Sequence, residues 1–175
     1  DTPTAPESGS EDESKPEPAK EPPPTRTQLP LEDIFNFMVR HHIHPISVHI
    51  PNGVVPVSVL FLGLSVLGGL FDAATLSKAA LFNMIVVLLS MPLVLVTGWA
   101  EWQLKYNGAK TAYFIIKLVC GGVVTILSFV IVLWFLIDPD VAMSAKRWWF
   151  LLLNLILLGV TAVAGHIGGK LVFKD

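Results

Sequence analysis

The sequence predicts an all-α fold, a four-helix transmembrane bundle running up-down-up-down, preceded by a short interfacial amphipathic helix and a disordered tail. Three observations lead there. Hydrophobic residues make up 53% of the 175 positions and the mean hydropathy is +0.62, above what a soluble domain of this length carries, because a soluble surface needs charge. The apolar residues are gathered into runs of twenty or more, the length that crosses a bilayer. The segments between the runs are short, so consecutive spans must be antiparallel neighbours.

Residues 1–30 form a block of their own. Eight of the thirteen prolines fall here, with seven acidic residues against three basic ones and Leu29 the only large apolar side chain. Such a composition buries too little surface to offset the entropy of ordering, which predicts a disordered or polyproline II tail. The chain starts at Asp1 rather than Met, which a removed leader peptide or a trimmed sequence explains equally well.

In residues 31–43, Leu31, Ile34, Phe35 and Met38 recur at helical spacing among Glu32, Asp33, Asn36 and Arg40. The segment is too short to span and predicts a helix lying along the membrane surface. The transmembrane domain then occupies residues 44–175. Its first span covers about 44–71, with Pro45 in the first turn and Pro51 and Pro56 inside, where they should kink it, as membrane helices tolerate. A polar turn at 72–77 leads to the second span, 78–99, which ends in an interfacial Trp99/Trp102 pair. After a loop at 103–110 the third span covers 111–137 and stops at Asp138-Pro139-Asp140. The fourth, 148–172, follows Lys146-Arg147. Gly165 and Gly169 make a G-x-x-x-G pair, a modest helix-packing signal.

This topology sorts the histidines. If the membrane face bearing the start of span one is side A, then side A also receives the end of span two, the start of three and the end of four. His41, His42, His44, His49 and His166 all fall toward it. Counting 1.5 Å per residue, His49 lies roughly 7 Å and His166 roughly 10 Å inside the membrane. Two intramembrane histidines at similar depth on separate helices suit the two axial positions of haem b, and Gly53 and Gly165 leave room for a flat macrocycle. Arg40, Lys105, Lys110 and Lys117 stand near side A, where they can hold its propionates. The same two histidines can instead hydrogen-bond across helices or sit among headgroups, as His41 and His42 are expected to do.

His44 points about 140° away from His49 on an ideal helix, so the two cannot share one iron face. It can orient the surroundings of His49, bind a quinone oxygen, or begin the helix. Glu101 and Lys117 can pair with each other or form a polar lip for a quinone headgroup, and Asn83, Thr97 and Asn154 are expected to hydrogen-bond between helices. Cys120 has no partner in the chain, which excludes a disulfide, a cysteine-based zinc site and a covalent c-type haem. No G-x-S-x-G, P-loop, H-E-x-x-H or basic-aromatic patch is present, so nothing points to hydrolysis, phosphoryl transfer or nucleic acid.

His44-Pro45-Ile46-Ser47-Val48-His49-Ile50-Pro51 resembles the H-P-x-x-V-H-F-P opening of a bacterial family of small four-helix membrane proteins, a domain of unknown function. Thr97-Gly98-Trp99-Ala100-Glu101 is similar to its T-G-x-x-D/E ending of helix two. Residues 165–173 are similar to its G-x-x-G-G-x-L-V-Y/F ending of helix four. Ile50 stands where the family has Phe, and His166 falls at a position its motif leaves variable. The resemblance covers residues 44–173. It implies a multi-pass protein of the bacterial inner (cytoplasmic) membrane in a redox context and fits a role like that of a b-type cytochrome.

The expected function is therefore that of a haem b-binding membrane subunit, an electron-transfer component rather than a stand-alone enzyme. His49 and His166 would be the iron ligands, and the partners would be the lipid bilayer, the quinone pool and other subunits of a membrane redox complex. A haem-free structural or accessory anchor subunit is the alternative, since the tail and the amphipathic helix suit partner binding. Basic residues near span ends outnumber those of side B on side A, which favours side A in the cytoplasm. A cleaved leader peptide would favour the reverse.

Overall fold

The computed structural model describes residues 30–68 and 72–172; the acidic, proline-rich tail at 1–29 lies outside them. Five helices follow one another: α1 (Pro30–Arg40), α2 (Ile43–Leu67), α3 (Ala73–Tyr106), α4 (Ala112–Ile137) and α5 (Arg147–Val172). The last four are each long and apolar enough to cross a membrane, so the chain is a multi-pass membrane protein.

The boundaries follow from local chemistry. Asp72 caps α3, its carboxylate accepting from the Thr75 backbone N–H and hydroxyl at 2.7 Å each. The segment expected to be a polar turn at 72–77 is thus a cap followed by the first helical turn. At the other end α3 runs on to Tyr106, past the boundary expected at Trp99. Glu101 pairs with Lys105 one turn later at 3.3 Å, an arrangement that favours continued helix. The helix stops where Asn107 (φ 50°) and Gly108 (φ 64°) turn left-handed, and the Gly108 N–H closes on the Trp102 carbonyl. α2 runs unbroken through Pro51 and Pro56 and ends at Gly68 with φ 73°.

In the bundle α2 packs on α3, α3 on α4, α4 on α5, and α5 back on α2, while the diagonal pairs do not meet. This is a square up-down-up-down bundle. Its core is built at helical spacing from Val55, Val59 and Leu62 of α2, Met84, Val87 and Met91 of α3, Ile131 and Phe135 of α4, and Phe150 and Leu157 of α5. Small hydroxyls thread the same core and are satisfied: Ser58 donates to the Ala80 carbonyl at 2.9 Å and Ser65 to that of Ala73 at 2.8 Å, both from α2 to α3. Asn154, expected to bond between helices, instead donates to Phe150 one turn back in its own helix. The outward faces carry Leu60, Phe82, Leu89, Ile126 and Ile156, exposed apolar side chains whose natural solvent is lipid.

α1 lies against α3 and α2 at side A, where Phe35 meets the Trp99 ring edge-on at 5.6 Å between centroids. Leu31, Ile34 and Phe37 remain exposed on it. His41 and His42 form the turn into α2, with His42 left-handed at φ 53°. At side B, a Lys146–Asp138 ion pair at 2.9 Å closes the α4–α5 loop, whose Val141 and Ala142 are buried.

Candidate functional site

The side A half of the bundle does not close. Below it the core is filled by valine, leucine, methionine and phenylalanine. Above Met91, Val124 and Thr161 the four helices part around a cavity of about 580 Å³, a size that suits a small organic ligand. Five glycines line it, Gly98 of α3, Gly121 of α4, and Gly165, Gly168 and Gly169 of α5; His44, Leu95 and Asn52 pack into the places of the first three missing side chains, while Gly168 and Gly169 leave open space. Aromatic side chains guard its outer end, where Tyr106 of α3 packs against Phe114 of α4 with the rings tilted and their centroids 4.7 Å apart.

Two histidines line the cavity, both from the first turns of α2. His44 is only 6% exposed, and its ring lies against Gly98, at which a Cβ would stand 2.8 Å from the imidazole Cε1. The hydrogen bonds around it assign its tautomer. The Thr97 hydroxyl donates to the Leu93 carbonyl at 2.7 Å, and the Ser47 hydroxyl donates to the His44 carbonyl at 3.0 Å. Both hydroxyl protons are thereby used, so the Thr97 oxygen, 3.2 Å from His44 Nδ1, accepts from an Nδ1–H. Nε2 then carries the lone pair. It is buried and has no protein partner.

His49 reaches the same state by another route. Its Nδ1 lies 2.6 Å from the Pro45 carbonyl one turn back, and a carbonyl can only accept, so Nδ1 holds the proton and Nε2 is again free. The two rings leave the helix about 140° apart, yet both line one cavity, so the cavity curls round the start of α2. Its His49 end faces α5, where Asn52, one turn along from His49, packs against Gly165. Its His44 end faces α3 and α4, where Glu101 and Lys117 also line it.

The other expected site residues divide. Lys110 and Lys117 line the cavity. Arg40 is exposed on α1 outside it, and Lys105 turns to its ion pair with Glu101, which therefore pairs with Lys105 rather than with Lys117. His166 is exposed on α5 and is not part of the lining, so the His49/His166 pair is not brought together around this space. Gly53 likewise faces outward. Ser47, Asn52 and Gly98 were not singled out by the sequence, although Gly98 sits inside the T-G-x-x-D/E stretch that carries the family likeness. Among the described residues no three His, Cys, Asp or Glu side chains gather as a metal-ion cluster.

The comparison with known families bears on the same segment. A model described as "Predicted membrane protein (DUF2231)" matches residues 40–175, the whole bundle and both histidine-bearing turns. The chain belongs to the DUF2231 family. Neither a curated protein nor a solved structure matches it. DUF2231 membership therefore agrees with the membrane fold and leaves the occupant of the cavity to be argued from its chemistry.

Proposed function

We propose that this DUF2231 chain is a haem b-binding subunit of a redox complex in the bacterial inner membrane, carrying electrons between the quinone pool and a partner subunit. The observation that carries the reading is the bond from His49 Nδ1 to the Pro45 carbonyl. An imidazole whose Nδ1–H is held by a backbone carbonyl, leaving Nε2 without a protein partner, is the arrangement in which histidine ligates a metal, and His49 stands exposed on the cavity lining. The glycine-lined walls suit a flat macrocycle, and Lys110 and Lys117 on the lining suit its carboxylates. His49 is the ligand this cavity offers; haem b, when bound, would supply one-electron chemistry, and the chain would supply the ligand and its fixed orientation.

Reduced-minus-oxidised absorbance spectra of the purified protein test the reading. A b-type signal lost in His49→Ala supports it, and a well-folded protein with no such signal overturns it. A haem-free accessory role is the second reading, favoured by Leu31, Ile34 and Phe37 on the outer face of α1, which suit a partner or the lipid surface. An unpigmented His49→Ala that still assembles speaks for haem, whereas a colourless wild type that assembles with partners speaks for the accessory role.

A further inference from the structure

The α3–α4 end of the cavity holds more positive than negative charge. Lys110 and Lys117 both line it, and among the described residues neither makes an ion pair. Glu101 is the carboxylate on the lining, and its charge is met by Lys105 at 3.3 Å. Lys117 stands half-buried in the second turn of α4, a helix long and apolar enough to cross the membrane. An unpaired ammonium at such a place is costly, so an occupant of the cavity gains by bringing an anion. Below Lys117 the walls turn apolar, with Val94, Leu95, Leu118 and Val124. Val124 at the floor lies two turns further along α4, about 10 Å at 1.5 Å per residue.

We infer that this end of the cavity is a binding site for a fatty acid, its carboxylate held by Lys117 and Lys110 and its acyl chain running down to Val124. The charge asks for an anion and the wall below it for a hydrocarbon chain. A volume of about 580 Å³ takes one such chain rather than the two of a phospholipid. Lipid tails solvate an acyl chain as well as this lining does, so the ammonium–carboxylate pairing supplies the selectivity. The inference goes beyond the haem reading and does not rest on it, since it uses neither His49 nor iron. Both occupants call on the same two lysines, so each excludes the other.

The test is titration of the full chain in phosphatidylcholine nanodiscs with ω-brominated decanoate and, as its uncharged match, ω-brominated decanol. Bromine quenches tryptophan, and Trp99 and Trp102 stand on the lining, so saturable quenching reports binding. Lys117→Met is expected to weaken decanoate at least about tenfold, the scale of one hydrogen bond to a charged group, and to leave decanol unchanged. Comparing each ligand between wild type and variant cancels its partition into the bilayer. If Lys117→Met fails to fold, Gly168→Leu is the second variant. No atom stands near its Cβ position, and a side chain there narrows the cavity and is expected to weaken decanoate likewise. Non-saturable quenching in wild type, equal loss of both ligands in Lys117→Met, undiminished decanoate binding in a folded variant, or displacement of decanoate by phosphatidylglycerol at equal concentration overturns the inference. Difference spectra of the same preparations report on haem separately. A missing b-type signal with retained decanoate binding would remove only the earlier reading, and a b-type signal that saturating decanoate leaves intact would remove only this one.

Discussion

The His44 ring occupies the space that Gly98 lacks a side chain to fill, with the position of a Cβ on Gly98 only 2.8 Å from His44 Cε1 and 3.2 Å from Nδ1. The ring cannot swing away cheaply, because it is buried and tied to Thr97. Gly98→Ala is therefore expected to destabilise the bundle by about 1–3 kcal/mol through overlap, even after the gain in helix propensity. Gly122→Ala is the control: no atom stands near its Cβ position, and it is expected to stabilise by up to about 1 kcal/mol. Thermal unfolding in detergent measures both, and equal effects at the two glycines would refute the close-packing account.

Thr97 acts as the acceptor for His44 while its own proton goes to Leu93. Thr97→Val keeps the shape, removes the oxygen and strands a buried N–H, at an expected cost of about 1–3 kcal/mol. Thr97→Ser should retain most of the stability. The accompanying signature is ¹⁵N NMR of His44, which should report the Nδ1–H tautomer in wild type and in Thr97→Ser, and lose that fixed assignment in Thr97→Val.

Of the two histidines expected as iron ligands, His49 lines the cavity and His166 is exposed outside it. One cavity ligand predicts a high-spin ferric spectrum that is lost in His49→Ala and kept in His166→Ala. A low-spin spectrum abolished by His166→Ala would restore the two-histidine arrangement and require the end of α5 to turn inward.

The cap of α3 predicts a pH effect. Thr75 donates twice to Asp72, which holds this carboxyl below its ordinary value, so the folded state favours the ionised form. The stabilisation is present above the unfolded carboxylate pKa of about 4 and is lost as pH falls through the lower folded value. The gap in thermal midpoint between wild type and Asp72→Ala should accordingly be steady at neutral pH and close below about pH 4. A gap independent of pH would mean that the cap does not depend on charge.

Much of the architecture was legible because bilayer thickness leaves little freedom. Runs of apolar residues of fixed length, short connections and an amphipathic prelude are enough to specify four antiparallel spans and a surface helix. The misplaced boundaries lie at the two ends of α3. There a side-chain cap at Asp72 and an ion pair at Glu101–Lys105 extend helix into segments whose polarity reads as loop. The gathering of histidines toward side A was likewise legible from topology alone, as was Thr97 as an interhelical hydrogen-bonding group.

By itself, then, the sequence determined a membrane-spanning four-helix chain and the end of the bundle toward which its histidines fall, since both depend only on length, polarity and order along the chain. The tertiary structure decided which of those histidines meet. Rotation of each helix about its axis turns His44 and His49 into one glycine-walled cavity and His166 out of it, and that rotation is set by packing among four helices, which no periodicity within a single helix reveals.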